Sequence, residues 1–202
     1  MKLNEKVVSL EAPAKLNLSL NIHNIRKSGY HSISSYIIFL DLKDTLKISY
    51  SKKNTVHVYG QQKSFINKDN NLILDTLNFC RKNKIINENY KIMLNKDIPV
   101  SAGLGGGSAD SASLLRYFLN KSKKKFSDYK NLVSNLGSDI PACFYSKPLF
   151  ADGIGERIKI INKTKTSEAG FLLVKPEFSI QTKDAFSKVN SKVFTEKNYF
   201  SN

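Results

Sequence analysis

Alternating apolar and polar positions give the first ordered signal in the chain. Leu16, Leu18, Leu20 and Ile22 fall on one face of an extended segment, and Lys15, Asn17, Ser19 and Asn21 on the other. A strand is therefore predicted over residues 7–22, with Pro13 at an edge or bulge position just before the strict alternation. Period two sets Lys15 and Asn17 side by side on the polar face. Residues 24–31 read as a turn around Ser28-Gly29 that presents Tyr30 and His31. Further strands are predicted at 33–40, 45–50 and 55–59, the last two joined by the polar turn SKKN.

The period changes after residue 71. Leu72, Ile73, Leu77 and Cys80 repeat as a helix toward Asn83, with Asn70 or Asn71 as its cap. A strand is predicted at 90–94 and a helix at 108–119. A second helix, capped by Ser127, carries Leu132, Val133 and Leu136 and stops at Gly137. Asp139 then stands ahead of Ile140-Pro141 in an extended or turn position, since proline disfavours helix in the residue before it. Taken alone it reads as an Asx-turn or a helix cap. Strands at 143–145 and 149–161 follow, the second with the bulge-prone ADGIGE, then a strand at 171–174 and a helical pattern at 182–189.

Between the strand at 90–94 and the helix at 108–119 runs PVSAGLGGGSADSAS, residues 99–113. Gly103, Gly105, Gly106 and Gly107 fall within five positions and lead straight into small residues and a helix. Glycines admit close approach to the main chain, and a helix start offers unpaired N–H groups. The combination points to an anion site, most simply for nucleotide phosphate. The loop is not Walker A, because no Gly-Lys-Ser/Thr closes it. Nor is it the dinucleotide fingerprint, whose third glycine is Ser108 here. A plain flexible turn is the competing reading.

Composition narrows the setting. The chain has 202 residues, 41% of them hydrophobic, with no long apolar run, so no membrane span or secretory signal is expected and a cytoplasmic globular protein is. Cys80 and Cys143 read as buried reduced thiols, and three scattered histidines make no metal site. The net charge of +15 comes almost wholly from lysine spread along the chain, so it argues for steering of polyanionic small molecules rather than for nucleic-acid binding.

Several separated segments then fit one family. The opening APAKLNLSLNI, the GYH at 29–31, the PVSAGLGGGSAD turn and the GSDIPACF at 137–144 resemble the GHMP small-molecule kinases, with FADGIGE and SIQTKDAF as later matching segments. The resemblance implies an α+β fold. A two-layer N-terminal lobe, residues 1–160, would pack a mixed or antiparallel sheet on helices and bind ATP. Residues 161–202 would begin an incomplete, ferredoxin-like C-terminal lobe, since the chain ends shortly after SIQTKDAFSKV.

The resemblance also implies an activity and roles. ATP with Mg²⁺ borne by that substrate would phosphorylate an alcohol group, the 2-hydroxyl of a cytidine-diphosphate-linked methylerythritol, in non-mevalonate isoprenoid synthesis. Asp139 would take the hydroxyl proton, and Lys15 would pair with that carboxylate and offset charge developing on the phosphoryl group. Pro99, Val100, Ser101, Ala102, Gly103, Leu104, Gly105, Gly106, Gly107, Ser108 and Ala109 would hold ATP, with Asn71 on its adenine side. Asn17, Tyr30 and His31 would bind the acceptor. Partners would be these small molecules, not nucleic acid or membrane, and the oligomeric state is open, a homodimer included. A homoserine- or mevalonate-type acceptor and a basic RNA-binding module are the alternatives. The RNA module leaves the glycine turn, Lys15 and Asp139 without a role.

Overall fold

A computed structural model describes residues 7–25, 31–63, 71–162 and 170–175. Its centre is a strand rather than a helix. β1 (Val8–Ile25) and β2 (His31–Ser51) pair antiparallel over nearly their whole length, from Val8 opposite Ile48 to Ile25 opposite His31. The other edge of β2 is divided between two neighbours. Its C-terminal part, Thr45 to Ser51, pairs with β4 (Asn89–Asn95), and its N-terminal part, Ile33 to Ile37, pairs with β5 (Leu149–Gly153). β3 (Thr55–Tyr59) adds to β4 in parallel, and β6 (Arg157–Ile160) adds to β5, which completes a six-stranded mixed sheet.

One strand prediction is corrected here. The strands expected at 33–40 and 45–50 are one element, because β1 pairs across the polar interval, with Ala12 opposite Asp44 and Pro13 opposite Lys43. The polar turn after residue 50 joins β2 to β3 as expected, and β4 lies between the two strands in the sheet. Asn54 Oδ1 accepts the Tyr90 N–H at 2.9 Å, so that turn carries the chain past the start of β4.

Helices α1 (Leu72–Lys82) and α2 (Gly106–Lys121) cover one sheet face. Alternate residues supply the sheet side of the core: Leu46 and Ile48 on β2, Tyr90, Ile92 and Leu94 on β4. Leu77 and Cys80 of α1 and Leu114, Leu115, Phe118 and Leu119 of α2 close over them. Asn71 caps α1 through its side-chain oxygen, 3.0 Å from the Ile73 nitrogen. Both Cys80 and Cys143 are buried free thiols. Among the described residues no helix is long and apolar enough to cross a membrane.

The segment after α2 departs from expectation. In place of one helix capped by Ser127 there is a single 3₁₀ turn at Phe126–Asp128 and a short α3 (Lys130–Ser134). Phe126 is the cause: its ring stacks on Phe144 at 3.8 Å between centroids, and the Ser127 hydroxyl turns to Asp128 at 3.0 Å. Residues 143–145, expected as a strand, belong to α4 (Ile140–Tyr145). Pro141 sits in its first turn, where the absent N–H costs no helical bond. The strand expected over 149–161 is instead the β5–β6 hairpin. Asp152 Oδ1 accepts the Gly153 N–H at 2.6 Å and Glu156 Oε2 accepts the Ile154 N–H at 2.5 Å, closing the turn.

Residues 171–174 are not a strand, and Leu172 and Val174 are 91% and 84% exposed. The helical pattern at 182–189 and the Ser28-Gly29 turn lie outside the described residues.

Phe118 is fully buried, 4.8 Å from the Tyr90 ring and 5.2 Å from the Tyr117 ring. Phe118→Ala should therefore lower the free energy of unfolding by about 3–5 kcal/mol in urea denaturation. A loss under about 1 kcal/mol would show that α2 is not seated on the sheet in this way.

Candidate active site

The glycine turn meets the sheet at Lys15. The Lys15 N–H donates to the Leu104 carbonyl at 3.0 Å, a backbone bond between β1 and the turn. Gly105 follows at the N-cap of α2 with φ +64. A Cβ there would stand 2.8 Å from Lys15 Cγ, so the lysine stem occupies the space a side chain would need. The first helical bond, Ala109 N–H to the Gly105 carbonyl at 2.8 Å, leaves the N–H groups of Gly106, Gly107 and Ser108 without helical partners.

Lys15 is 7% exposed, and its ammonium is shared between two oxygens. It donates to Asn17 Oδ1 at 2.5 Å and lies 3.5 Å from Asp139 Oδ2. Asn17 passes the chain of bonds on: its amide donates to Ser35 Oγ at 2.7 Å, and that hydroxyl donates to the Ser19 carbonyl at 2.6 Å. The Asn17 amide is thereby oriented with its oxygen toward the ammonium. Period two placed Lys15 and Asn17 together; Ser35, from the neighbouring strand, was not legible in the sequence.

Asp139 takes the N-cap position of α4 but makes no side-chain cap bond; its backbone is helical, φ −85 and ψ −13, rather than extended. Of the expected extended or turn position the turn is what forms, since Ile140, not Asp139, directly precedes the proline. Its side chain is 43% exposed, so the pair with Lys15 has one buried and one open member. Two contacts fix this corner. A Cβ on Gly137 would lie 3.6 Å from Ser108 Oγ, and one on Gly155 would lie 3.4 Å from the Ser138 carbonyl. The first turn of α2 and the β5–β6 hairpin thus press on the turn that carries Asp139. Arg116 of α2 holds the other end of α4, donating to the Phe144 carbonyl at 2.7 Å.

Asn71 is brought to the same place. Leu72 beside it would touch a Cβ on Gly107 at 3.8 Å, and the Leu72 carbonyl accepts from Ser111 Oγ at 3.3 Å. The start of α1 therefore abuts the start of α2. His31 opens β2, four residues or about 13 Å along the strand from Ser35. Tyr30 lies outside the described residues.

Beneath the turn is a buried charge cluster that sequence reasoning did not anticipate. Lys96, 4% exposed, donates to Asp44 Oδ2 and, at 2.8 Å, to Asp110 Oδ2. Asp44 Oδ1 also accepts the N–H groups of Asp97 and Ile98 at 2.7 and 2.9 Å. These residues are far apart in sequence, and nothing in the local pattern links them. Burial pushes the Asp110 carboxyl up to about 8, against the pull of the Lys96 ammonium and with the Asp44 carboxylate adding to the rise. Burial likewise pushes the Cys80 thiol up to about 12, and burial with the nearby Asp139 raises Cys143, so neither thiol is a nucleophile at neutral pH. Among the described residues no group of three or more His, Cys, Asp or Glu side chains is placed to hold a metal ion.

Residues 71–147 match the model of the GHMP kinases N terminal domain. Over 87% of its length the chain is 38% identical to 4-diphosphocytidyl-2-C-methyl-D-erythritol kinase of Buchnera aphidicola subsp. Schizaphis graminum, and over 92% it is 32% identical to the Clostridium tetani protein of that name. Over these spans the chain resembles the GHMP kinases. It spans 62% and 66% of the lengths of those two relatives.

A crystal structure of 4-(cytidine 5'-diphospho)-2C-methyl-D-erythritol kinase superposes with a TM-score of 0.62 at 29% identity, covering 76% of this chain and 55% of that one. Homoserine kinase from Cytophaga hutchinsonii shares the fold at 17% identity, with a TM-score of 0.58 over 96% of this chain and 63% of its own. The α+β expectation, a mixed sheet packed on helices, holds for the described residues.

Gly105→Ala, whose Cβ would displace the Lys15 stem, should lower the free energy of unfolding in urea denaturation by about 1–3 kcal/mol more than Gly103→Ala, whose Cβ would meet nothing within 4 Å. Equal effects of the two would mean that the Lys15 contact is unimportant.

The raised Asp110 carboxyl sets a sign for pH dependence. As pH rises from the ordinary carboxylate range toward about 8 the folded state keeps a proton that the unfolded chain gives up, so this group's contribution to stability falls as pH rises. Asp110→Asn should remove that fall, and its unfolding free energy relative to the parent should climb from pH 5 to 8 in urea titrations. A constant difference across that range would contradict the assignment.

Proposed function

We propose that this chain carries the nucleotide-binding and phosphoryl-transfer lobe of a 4-diphosphocytidyl-2-C-methyl-D-erythritol kinase. The carrying observation is the Lys15–Asp139 pair, 3.5 Å apart and joined to the glycine turn through the Lys15 N–H. The names of the relatives at 32–38% identity support the acceptor over homoserine or mevalonate. The reaction belongs to the non-mevalonate route to isopentenyl diphosphate, and the protein works in the cytoplasm. Residues 1–160 form the catalytic lobe in this reading, and 161–202 open a second lobe.

The chemistry follows from what each group can do. The Asp139 carboxylate accepts the proton of the acceptor 2-hydroxyl as its oxygen bonds to the γ-phosphorus, and the bond from that phosphorus to the ADP oxygen breaks. The Lys15 ammonium stands between this carboxylate and the glycine turn, where it offsets negative charge gathering on the transferred group. Asn17, locked by Ser35, holds that ammonium in place and offers the acceptor a polar face. The N–H groups of Gly106, Gly107 and Ser108 bind the phosphates, with the rest of 99–109 shaping the turn. Mg²⁺ enters with ATP as part of the substrate. Asn71 spends its oxygen on the helix cap and keeps its amide N–H groups for the adenine side. Tyr30 and His31 bind the cytosine end.

Asp139→Asn and Lys15→Met should each lower turnover about 10³-fold in an assay of ADP release with ATP and the cytidyl-linked acceptor, while the affinity of Asp139→Asn for ATP stays within about threefold. Cytidine diphosphate should compete with the acceptor. Parent-like turnover by Asp139→Asn would overturn the mechanism, and indifference to cytidine diphosphate would move the acceptor to the homoserine or mevalonate type.

A further inference from the structure

The geometry points to Lys96 as a positioning residue for the phosphate-binding turn, acting by clamping both of its ends to one buried ammonium. The inference rests on the turn's being the phosphate cradle. The turn begins after Ile98 and ends at Gly106, and each end is tied to the same cluster. At the entry, Asp44 on β2 accepts the backbone N–H groups of Asp97 and Ile98 and also the Lys96 ammonium. At the exit, Asp110, in the second turn of α2, accepts from that ammonium at 2.8 Å. Gly106, the first residue of α2, lies against it directly: a Cβ on Gly106 would be 2.9 Å from Lys96 Nζ and 3.1 Å from Ile98 Cγ2.

The clamp is buried, with Lys96, Asp44 and Asp110 at 4%, 0% and 2% exposure, so water offers none of the three a substitute partner. Asp110 Oδ1 has no hydrogen-bond partner among the described residues, which leaves Lys96 and the adjoining Asp44 to orient this carboxyl. A cluster serving stability alone would be cheaper as packed apolar side chains. What it supplies here is a fixed span between Ile98 and Gly106, hence a fixed spacing of the N–H groups that receive phosphate. Misplacing such groups by about 1 Å can cost two orders of magnitude in rate or binding at a preorganised site. Lys96 touches no reacting atom in this role.

The test separates positioning from stability by comparing two ligands on the full chain. ATP uses the turn; adenosine, which has no phosphate, does not. Lys96→Met should raise the ATP dissociation constant at least tenfold and leave that of adenosine within twofold, both by calorimetry. Asp110→Ala, which keeps the Asp44–Lys96 pair, should show the same phosphate-selective loss at threefold or more, and decides the matter if Lys96→Met does not fold. Leu77→Ala, a core change away from the cluster, should lower stability without altering the ratio of the two constants. Parallel losses for ATP and adenosine, or no loss for either, would overturn the clamp. A parent protein that binds ATP no better than adenosine would overturn the reading of the turn itself, and the clamp with it.

Discussion

The arrangement depends on a close approach that only glycine permits. Gly105 leaves the space filled by the Lys15 stem, and the Leu104 carbonyl beside it takes the Lys15 N–H. Any side chain at 105 would meet both a left-handed backbone and an occupied volume. Through this contact the turn is not a free loop on the surface but an extension of β1. The positions of Asn17, Ser35 and Asp139 relative to the turn then follow from strand pairing and from the seating of α4 against α2.

Two lysines are buried at this turn, and their surroundings give them different work. Lys15 lies between an amide oxygen and a half-open carboxylate, so its charge faces outward toward a ligand. Lys96 lies between two enclosed carboxyl groups, so its charge is directed inside the protein. The +15 net charge as a whole adds a broader field. That field bears on how polyanions arrive. It says little about where they are held.

What the sequence showed follows the range of the forces involved. Strict alternation revealed β1 because each residue there is sorted by its own face. The glycine turn was legible because backbone approach leaves a compositional trace within a few residues. β2 was split in two because Asp41, Lys43 and Asp44 interrupt its apolar pattern, and only pairing with β1 keeps them extended. The hairpin at 149–160 was missed for a similar reason: carboxylates of Asp152 and Glu156 close a turn that pattern alone reads as a bulge. α4 was missed because six residues opening on Ile-Pro look extended until Arg116 and the core of α2 are in place.

Long-range polar pairing left no such trace. Asp44, Lys96 and Asp110 are ordinary charged residues in sequence, two of them beside other charges at Lys43 and Asp97. Their selection for the interior is visible only once β2, the end of β4 and the second turn of α2 converge. The same holds for Ser35, one hydroxyl among four serines between 28 and 35, singled out by the register that sets it against Asn17. A site of this kind is specified twice. Local composition specifies the backbone cradle, and strand register specifies the side chains that charge it; sequence inspection reads the first directly and reaches the second only through the fold.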